Sequence, residues 1–223
     1  MKNLLLSIFL IHCAAAVMSQ DSLSHWTIGA QGSGFISYRN LQTSSELEDM
    51  KLLFDSIESG MVGMQLGLAA GYHINSSVDI SAGITFQRAG YNIDTINEAS
   101  IAHMKFRYGF LKVPIRAHFN FRKGKINRPF ISAGVAANYC IADKTTFTQF
   151  GKPTVVELEK ESIKGNILSE LCFSAGLMKS ITPKTTFRIA MEGTWFLSPL
   201  MKGELERRLW SAGLWMSLSH HIR

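Results

Sequence analysis

Residues 61–75 read MVGMQLGLAAGYHIN and residues 78–87 read VDISAGITFQ. In the first stretch Val62, Met64, Leu66, Leu68, Ala70, Tyr72 and Ile74 fall on one side. Gly63, Gln65, Gly67, Ala69, Gly71 and His73 fall on the other. This is the period of two at which side chains alternate across a β-strand. The second stretch repeats it, with Val78, Ile80, Ala82, Ile84 and Phe86 against Asp79, Ser81, Gly83, Thr85 and Gln87. Only Asn75, Ser76 and Ser77 lie between, so the pair reads as a hairpin with one oily face and one small or polar face.

The same signature recurs outward in both directions. Leu111, Val113, Ile115, Ala117, Phe119 and Phe121 alternate with Phe110, Lys112, Pro114, Arg116, His118, Asn120 and Arg122. Ile131, Ala133, Val135, Ala137 and Tyr139 alternate with Ser132, Gly134, Ala136, Asn138 and Cys140, and Leu171, Phe173, Ala175 and Leu177 with Glu170, Cys172, Ser174 and Gly176. Two further segments set Phe187, Ile189, Met191, Trp195 and Leu197 against Arg188, Glu192 and Thr194, then Trp210, Ala212, Leu214, Met216 and Leu218 against Ser211, Gly213 and Ser217. With a first segment from Trp26 to about Asn40, the strands number eight.

Connection lengths alternate as well. They run long at Leu41 to Gly60, short around Ser76, long at Ile93 to His103, short at Lys123 to Asn127, long at Ala142 to Asn166, tight at Thr182 to Lys184, and longer again at Ser198 to Arg207. Long loops on one side and short turns on the other are the pattern of a transmembrane barrel, whose short turns face the periplasm. Each segment supplies the roughly 9–11 tilted residues that cross a bilayer. The fold expected is all-β, an eight-stranded antiparallel up-and-down transmembrane β-barrel over residues 20–223. A soluble calyx with its oily face inward is disfavoured, because a solvent-facing surface would carry more Lys and Glu and fewer Gly. Within the first long connection, Leu47, Met50, Leu53, Phe54 and Ile57 recur at helical spacing, which predicts a short amphipathic helix over Ser44 to Ser59. Trp26, Tyr38, Tyr72, Phe86, Phe121, Tyr139, Trp195 and Trp210 sit near segment ends as candidate interfacial girdles, although aromatics also favour strands generally.

The N-terminus fits this destination. Lys2 precedes an apolar run from Leu4 to Val17, followed by Ser19, Gln20 and Asp21, which reads as a secretory signal peptide over residues 1–19. Cys13 follows His12, a poor lipidation context. Charged residues make up 18% of the chain, and mean hydropathy is +0.08. That balance fits neither a disordered tail nor a helical membrane bundle. The net charge of +6 falls to +5 when Lys2 leaves with the leader. Such an excess suits outer-membrane lipid and lipopolysaccharide head groups, though it also fits a loop excess with no partner. The other partners expected are the barrel assembly machinery during biogenesis and a protein at the extracellular loops; no nucleic acid is expected.

At Tyr108-Gly109-Phe110-Leu111-Lys112-Val113-Pro114-Ile115 and at Arg128-Pro129-Phe130-Ile131-Ser132-Ala133-Gly134-Val135 the chain resembles the PorT-like outer-membrane barrel family, as it does more loosely at Ser174-Ala175-Gly176-Leu177. The resemblance implies the barrel fold and the outer membrane, and no activity; PorT itself is associated with protein secretion. The final strand departs from the usual barrel ending, with Ser219-His220-His221-Ile222-Arg223 where an aromatic would close it.

An eight-stranded barrel is just wide enough to be filled by its own side chains. The inward set of Asp79, Lys112, Arg116, His118, Glu170, Arg188 and Glu192 brings both signs into that space. A lumenal ion-pair network is therefore expected, with a narrow ion path or proton relay as the alternative. Cys140 and Cys172 face inward on neighbouring strands, where either a disulfide or two thiols would fit, depending on register. His220 and His221 are adjacent and so point to opposite faces, and His25, His73 and His103 lack ligand spacing, so no metal is expected. No cofactor is expected, and the absence of a Gly-x-Ser-x-Gly elbow, His-Glu-x-x-His or phosphate loop leaves no catalytic residue to name. The leading expectation is a non-enzymatic barrel serving structure, adhesion, assembly or secretion through its loops. A narrow transport channel and a rim-active enzyme on lipid or peptide are the alternatives.

Overall fold

Strand-forming alternation dominates the computed structural model, which describes residues 25–43, 57–94, 103–121, 127–149, 152–156, 165–200 and 205–222, with Leu52 and Ile163 as single residues. Nine strands are described: β1 (Trp26–Thr43), β2 (Glu58–His73), β3 (Val78–Asp94), β4 (His103–Asn120), β5 (Asn127–Gln149), β6 (Lys152–Val156), β7 (Ile167–Thr182), β8 (Thr185–Phe196) and β9 (Leu205–Ile222). All neighbours pair antiparallel. Pairing runs β4-β3-β2-β1-β9-β8-β7-β5 and closes through β4–β5, so eight strands form a ring and β6 stands outside it.

The seam between the ends of the chain is complete: β1 pairs with β9 from Trp26↔Ile222 to Thr43↔Leu205. Closure satisfies every ladder that an open sheet would leave at an edge, a necessity where no water is available to the backbone. Leu66, Leu68, Ile84, Ile115, Val135, Phe173 and Met191 are each more than half exposed on the outer wall. So continuous an apolar exterior is stable only against lipid. Trp26 packs edge-on to Tyr72 at 5.0 Å near one rim, and Tyr38 stacks on Trp210 at 4.9 Å toward the other. Trp26 and Tyr38 lie twelve positions apart on β1, which at ~3.3 Å per residue and ~40° tilt spans roughly 30 Å along the barrel axis, about one hydrocarbon thickness.

Two sequence expectations need revision. The connection from Ala142 to Asn166 is not all loop: β5 runs on to Gln149 and β6 pairs back on it from Thr145↔Val156 to Gln149↔Lys152. The reason is a bulge, where Gly109↔Ala142 gives way to Phe110↔Cys140 and Ile141 is left over. One extra residue flips the faces beyond it, so strict alternation stops at Cys140 although the strand does not. Of the helix expected over Ser44 to Ser59, Leu52 and Ile57 are described and are helical, Glu58 and Ser59 instead open β2, and the rest lies outside the described residues. Residues 1–24, which carry the expected signal peptide, also lie outside the described residues.

Candidate functional site

The lumen is divided into layers by the inward residues of each strand. Nearest the short-turn end, the Asp79 carboxylate (Oδ2) accepts from Arg188 Nη2 at 2.8 Å and from Asn120 Nδ2 at 2.8 Å. Asp79 is on β3 and Arg188 on β8, so this pair spans the ring. His118 sits beside it, with Nε2 2.9 Å from Ser81 Oγ and its ring near those of Phe130 and Trp215. Arg188 also lies over Phe130, 5.9 Å from the ring centroid.

In the middle layer Arg116, from β4, pairs closely with Glu192, from β8, and Gln65 of β2 donates to the other Glu192 oxygen at 3.0 Å. The Arg116 guanidinium lies over the Trp215 ring at 5.3 Å. Above it, Lys112 Nζ donates to Glu170 Oε1 and Asn138 Nδ2 to Glu170 Oε2, both at 2.8 Å. Lys112 and Glu170 are fully enclosed. These layers thus carry three cations against three anions, and every one of these six groups has an opposite partner.

Room for these long side chains comes from small residues on the same wall. Gly134 stands opposite Arg116 across the β4–β5 ladder. A Cβ there would lie 2.3 Å from the Ile115 carbonyl oxygen and 2.9 Å from Arg116 Cγ. Gly213, opposite Glu192, likewise leaves no space for a side chain: its Cβ would come 2.2 Å from the Gly34 oxygen.

Toward the long-connection end the lumen changes character. Phe110, Cys140, Leu168, Phe196 and Leu209 are buried in one apolar cluster, which continues through Phe35, Tyr91, Phe106 and Tyr108. Phe110 and Phe196 face each other at 5.5 Å, and Tyr91 stacks on Phe106 at 4.7 Å. Arg39 lies over Tyr91 at 4.7 Å while pairing with Glu58. The ring is therefore filled by ion pairs below and by an aromatic core above. A void of about 30 Å³ between Gln31, Ser81, His118, Arg188 and Trp215 holds no more than one or two waters.

All seven charged or titratable residues singled out in the sequence face the lumen, and three cross-barrel pairs gather six of them. The seventh, His118, resembles part of a catalytic dyad in its contact with Ser81. Its Nδ1 has no hydrogen-bonding partner, however, and the bonded oxygen of Asp79 is taken by Arg188 and Asn120. Among the described residues no acid hydrogen-bonds the imidazole, so the triad geometry is incomplete there. The sequence reading missed Trp215, which is buried inward at a position whose parity matches Ser211, Gly213 and Ser217. It also missed the apolar upper lumen, although Phe110 stands in the inward row and Leu168 and Phe196 continue the inward parity of Glu170 and Thr194.

The expected alternative of a Cys140–Cys172 disulfide is not realised. Cys172 is the register partner of Gly134, six positions from Cys140 along β5. That separation is about 20 Å at ~3.3 Å per residue, whereas a disulfide needs Cα atoms within about 7 Å. The two thiols are both buried, in different layers, and are not joined. Among the described residues no group of three or more His, Cys, Asp or Glu side chains is arranged to hold a metal ion.

Several solved structures are similar to this chain at low identity. Neisserial surface protein A is 11% identical, with 91% of this chain and 100% of that one aligned and a TM-score of 0.46. The outer membrane protein OprG from Pseudomonas aeruginosa is 12% identical over 90% of this chain and 98% of its own, also at 0.46. The attachment invasion locus protein Ail of Yersinia pestis, solved with the heparin analogue sucrose octasulfate, is 12% identical over 86% and 99%, at 0.37. No curated protein matches the chain in sequence. The family model described as outer membrane protein beta-barrel domain matches residues 18–154, more than half of the chain. With a closed eight-stranded ring and an apolar exterior, the chain belongs to the outer membrane protein beta-barrel domain family and resides in the bacterial outer membrane as an eight-stranded barrel.

Proposed function

We propose that this barrel is a non-conducting, non-enzymatic mount whose work is done at its extracellular end, in adhesion, envelope structure or the assembly and secretion of other proteins. The observation that carries the reading is the filled lumen. Three enclosed ion pairs and an aromatic core occupy the path that a solute would take. When a scaffold is rigid and its interior is sealed, the loops are what remain to carry function. The β5–β6 hairpin supports the same reading: it continues the β4–β5 wall above the end of the β5–β7 ladder on the long-connection side, and the outer edge of β6 pairs with no described strand. An open edge of this kind is suited to accept an extended segment of a protein partner.

The PorT-like resemblance at Tyr108–Ile115 and Arg128–Val135 supports a place for the chain in that branch of the family, and with it the secretion-associated variant of the proposal. In this structure those motifs serve the lumen: they supply Phe110, Lys112, Phe130 and Gly134, residues of the apolar cluster, the upper ion pair and the Arg116 wall. They are architectural residues, so the likeness speaks to kinship more than to activity.

The test is single-channel recording with the purified, folded protein in planar bilayers, with panels of lipid and peptide substrates assayed alongside. The expected result is no unitary conductance and no turnover. Stable conductance steps that change in size when Lys112 or Arg116 is replaced would establish the transport reading instead, and turnover of any lipid or peptide would establish a rim enzyme.

A further inference from the structure

The outer wall carries a feature that the sealed lumen does not explain. On β3, β4 and β5 the outward apolar rows end at Phe86, Leu111 and Ile141, and cations stand above them: Arg88 directly on β3, Arg107 and Lys105 beyond Gly109 on β4, and Lys144 beyond Ala142 on β5. Arg88, Arg107 and Lys144 are exposed. Arg107 and Lys144 are direct register partners, two like charges opposed across a ladder, an arrangement that is unfavourable when nothing neutralises it. Arg88 lies diagonally from Arg107, because Arg88 pairs with Gly109 and Arg107 with Gly90. The other diagonal of that square is two glycines, with the Met61 methyl lying over Gly90 and the Ala142 side chain beside Gly109, so the floor between the guanidiniums is apolar.

Lys144 reaches this face only because of the bulge at Gly109/Phe110, which reverses the facing of β5 after Cys140. None of the four cations forms an ion pair with a described residue. The described acids nearby are otherwise engaged: Asp94 pairs with His103, and the Asp143 carboxylate accepts from the Ile163 backbone N–H at 3.0 Å. On its own strand Arg107 stands twelve positions above Phe119, roughly 30 Å along the axis by the same rise and tilt. That height is the head-group level of the leaflet on the long-connection side, which faces the exterior of the cell.

We infer that Arg88, Lys105, Arg107 and Lys144 form a binding site for the phosphates of an outer-leaflet glycolipid of the lipid A type, whose acyl chains lie along the wall at Phe86 and Leu111. The observations favour this amphiphile over a soluble anion because the cations and the apolar strip are stacked in the order in which a phosphorylated lipid presents its parts. Guanidinium groups suit the phosphate oxygens by forked donation. A bound phosphate also removes the repulsion between Arg107 and Lys144, so the site and the ligand stabilise each other.

The experiment is titration of the purified, folded barrel in detergent micelles, read by native mass spectrometry, with lipid A bearing both phosphates and with lipid A stripped of them. Inorganic pyrophosphate and heparin serve as soluble-anion arms. Near a membrane surface each cation contributes about 1 kcal/mol, or about fivefold in affinity, so the double variant R107Q/K144Q is expected to bind phosphorylated lipid A roughly thirtyfold more weakly. Lys179→Gln, an outward cation at the opposite rim, is expected to bind as wild type. Heat-dependent gel mobility verifies that each variant folds; if the double variant does not, the wild-type comparison of phosphorylated with stripped lipid A still decides. Equal binding of the two lipids, or an unchanged affinity in the double variant, overturns the inference. Pyrophosphate or heparin binding as tight as lipid A also overturns it, by assigning the site to a soluble anion.

Discussion

Replacement of Glu192 by Ala tests the lumenal network where its geometry is most demanding. Glu192 holds Arg116 through one oxygen and Gln65 through the other, and the Arg116 and Glu192 side chains are only 3% and 4% exposed. The next carboxylate in the lumen, Glu170, already accepts from Lys112 and Asn138, so Arg116 has no replacement partner in reserve. Removing one member of a buried pair typically costs about 3–5 kcal/mol, mostly because the other charge stays enclosed and unpaired. Expressed as a folding equilibrium, that is a shift of roughly 150- to 5,000-fold. The assay is reversible urea unfolding in thin-chain lipid vesicles, followed by tryptophan emission. Trp215, which lies under the Arg116 guanidinium, reports locally. The double replacement of Arg116 by Met and Glu192 by Leu removes both charges together and is expected to recover most of the loss, since an apolar pair of similar volume substitutes for an ion pair at little cost. A loss below about 1 kcal/mol in the single variant, or a double variant no more stable than the single, would refute the claim that the pair is dry and mutually dependent.

Other predictions concern the walls. Gly134→Ala is expected to lower stability by about 1–3 kcal/mol, an overpacking cost, because its Cβ meets the Ile115 oxygen and the Arg116 stem; the midpoint of heat-modifiable gel mobility measures it. Ile84→Arg places a charge on the lipid face and is expected to cost about 2–4 kcal/mol in bilayers, read as the loss of folded band after dilution from urea into vesicles. Cys140 and Cys172 are expected to remain separate thiols: reduced and unreduced samples should co-migrate, and both residues should alkylate once the chain is unfolded, whereas a mass two hydrogens lighter would contradict the register. A cysteine introduced at Thr154 on the outer hairpin should react with a bulky maleimide on intact cells, while one at Ser76 should react only after the outer membrane is permeabilised; the reverse pattern would invert the topology.

Which residues face the lumen was legible in the sequence because a strand leaves only two directions for a side chain. Once Leu66 and Ile84 are placed on the oily side, the inward orientation of Asp79 and Thr85 follows, and the rule holds strand by strand for Lys112, Arg116, Glu170, Arg188 and Glu192. Which charge meets which was not legible. Asp79 finds Arg188 across the ring, 109 residues away in the chain, and that meeting depends on how far the register advances around the closed sheet, a sum over eight ladders that no single segment encodes. The bulge at Gly109/Phe110 was hidden for a related reason, since it appears in β5 as a change of parity after Cys140 and resembles the end of a strand. The same irregularity turns Lys144 onto the outer wall beside Arg107. Period-two pairing also slips at Gly60/Met64 on β2 and at Ser180/Thr182 on β7, but only the slip at Gly109/Phe110 sets two cations opposite each other on the outer wall, and the search for partners begins there, at the β4–β5 boundary above Leu111.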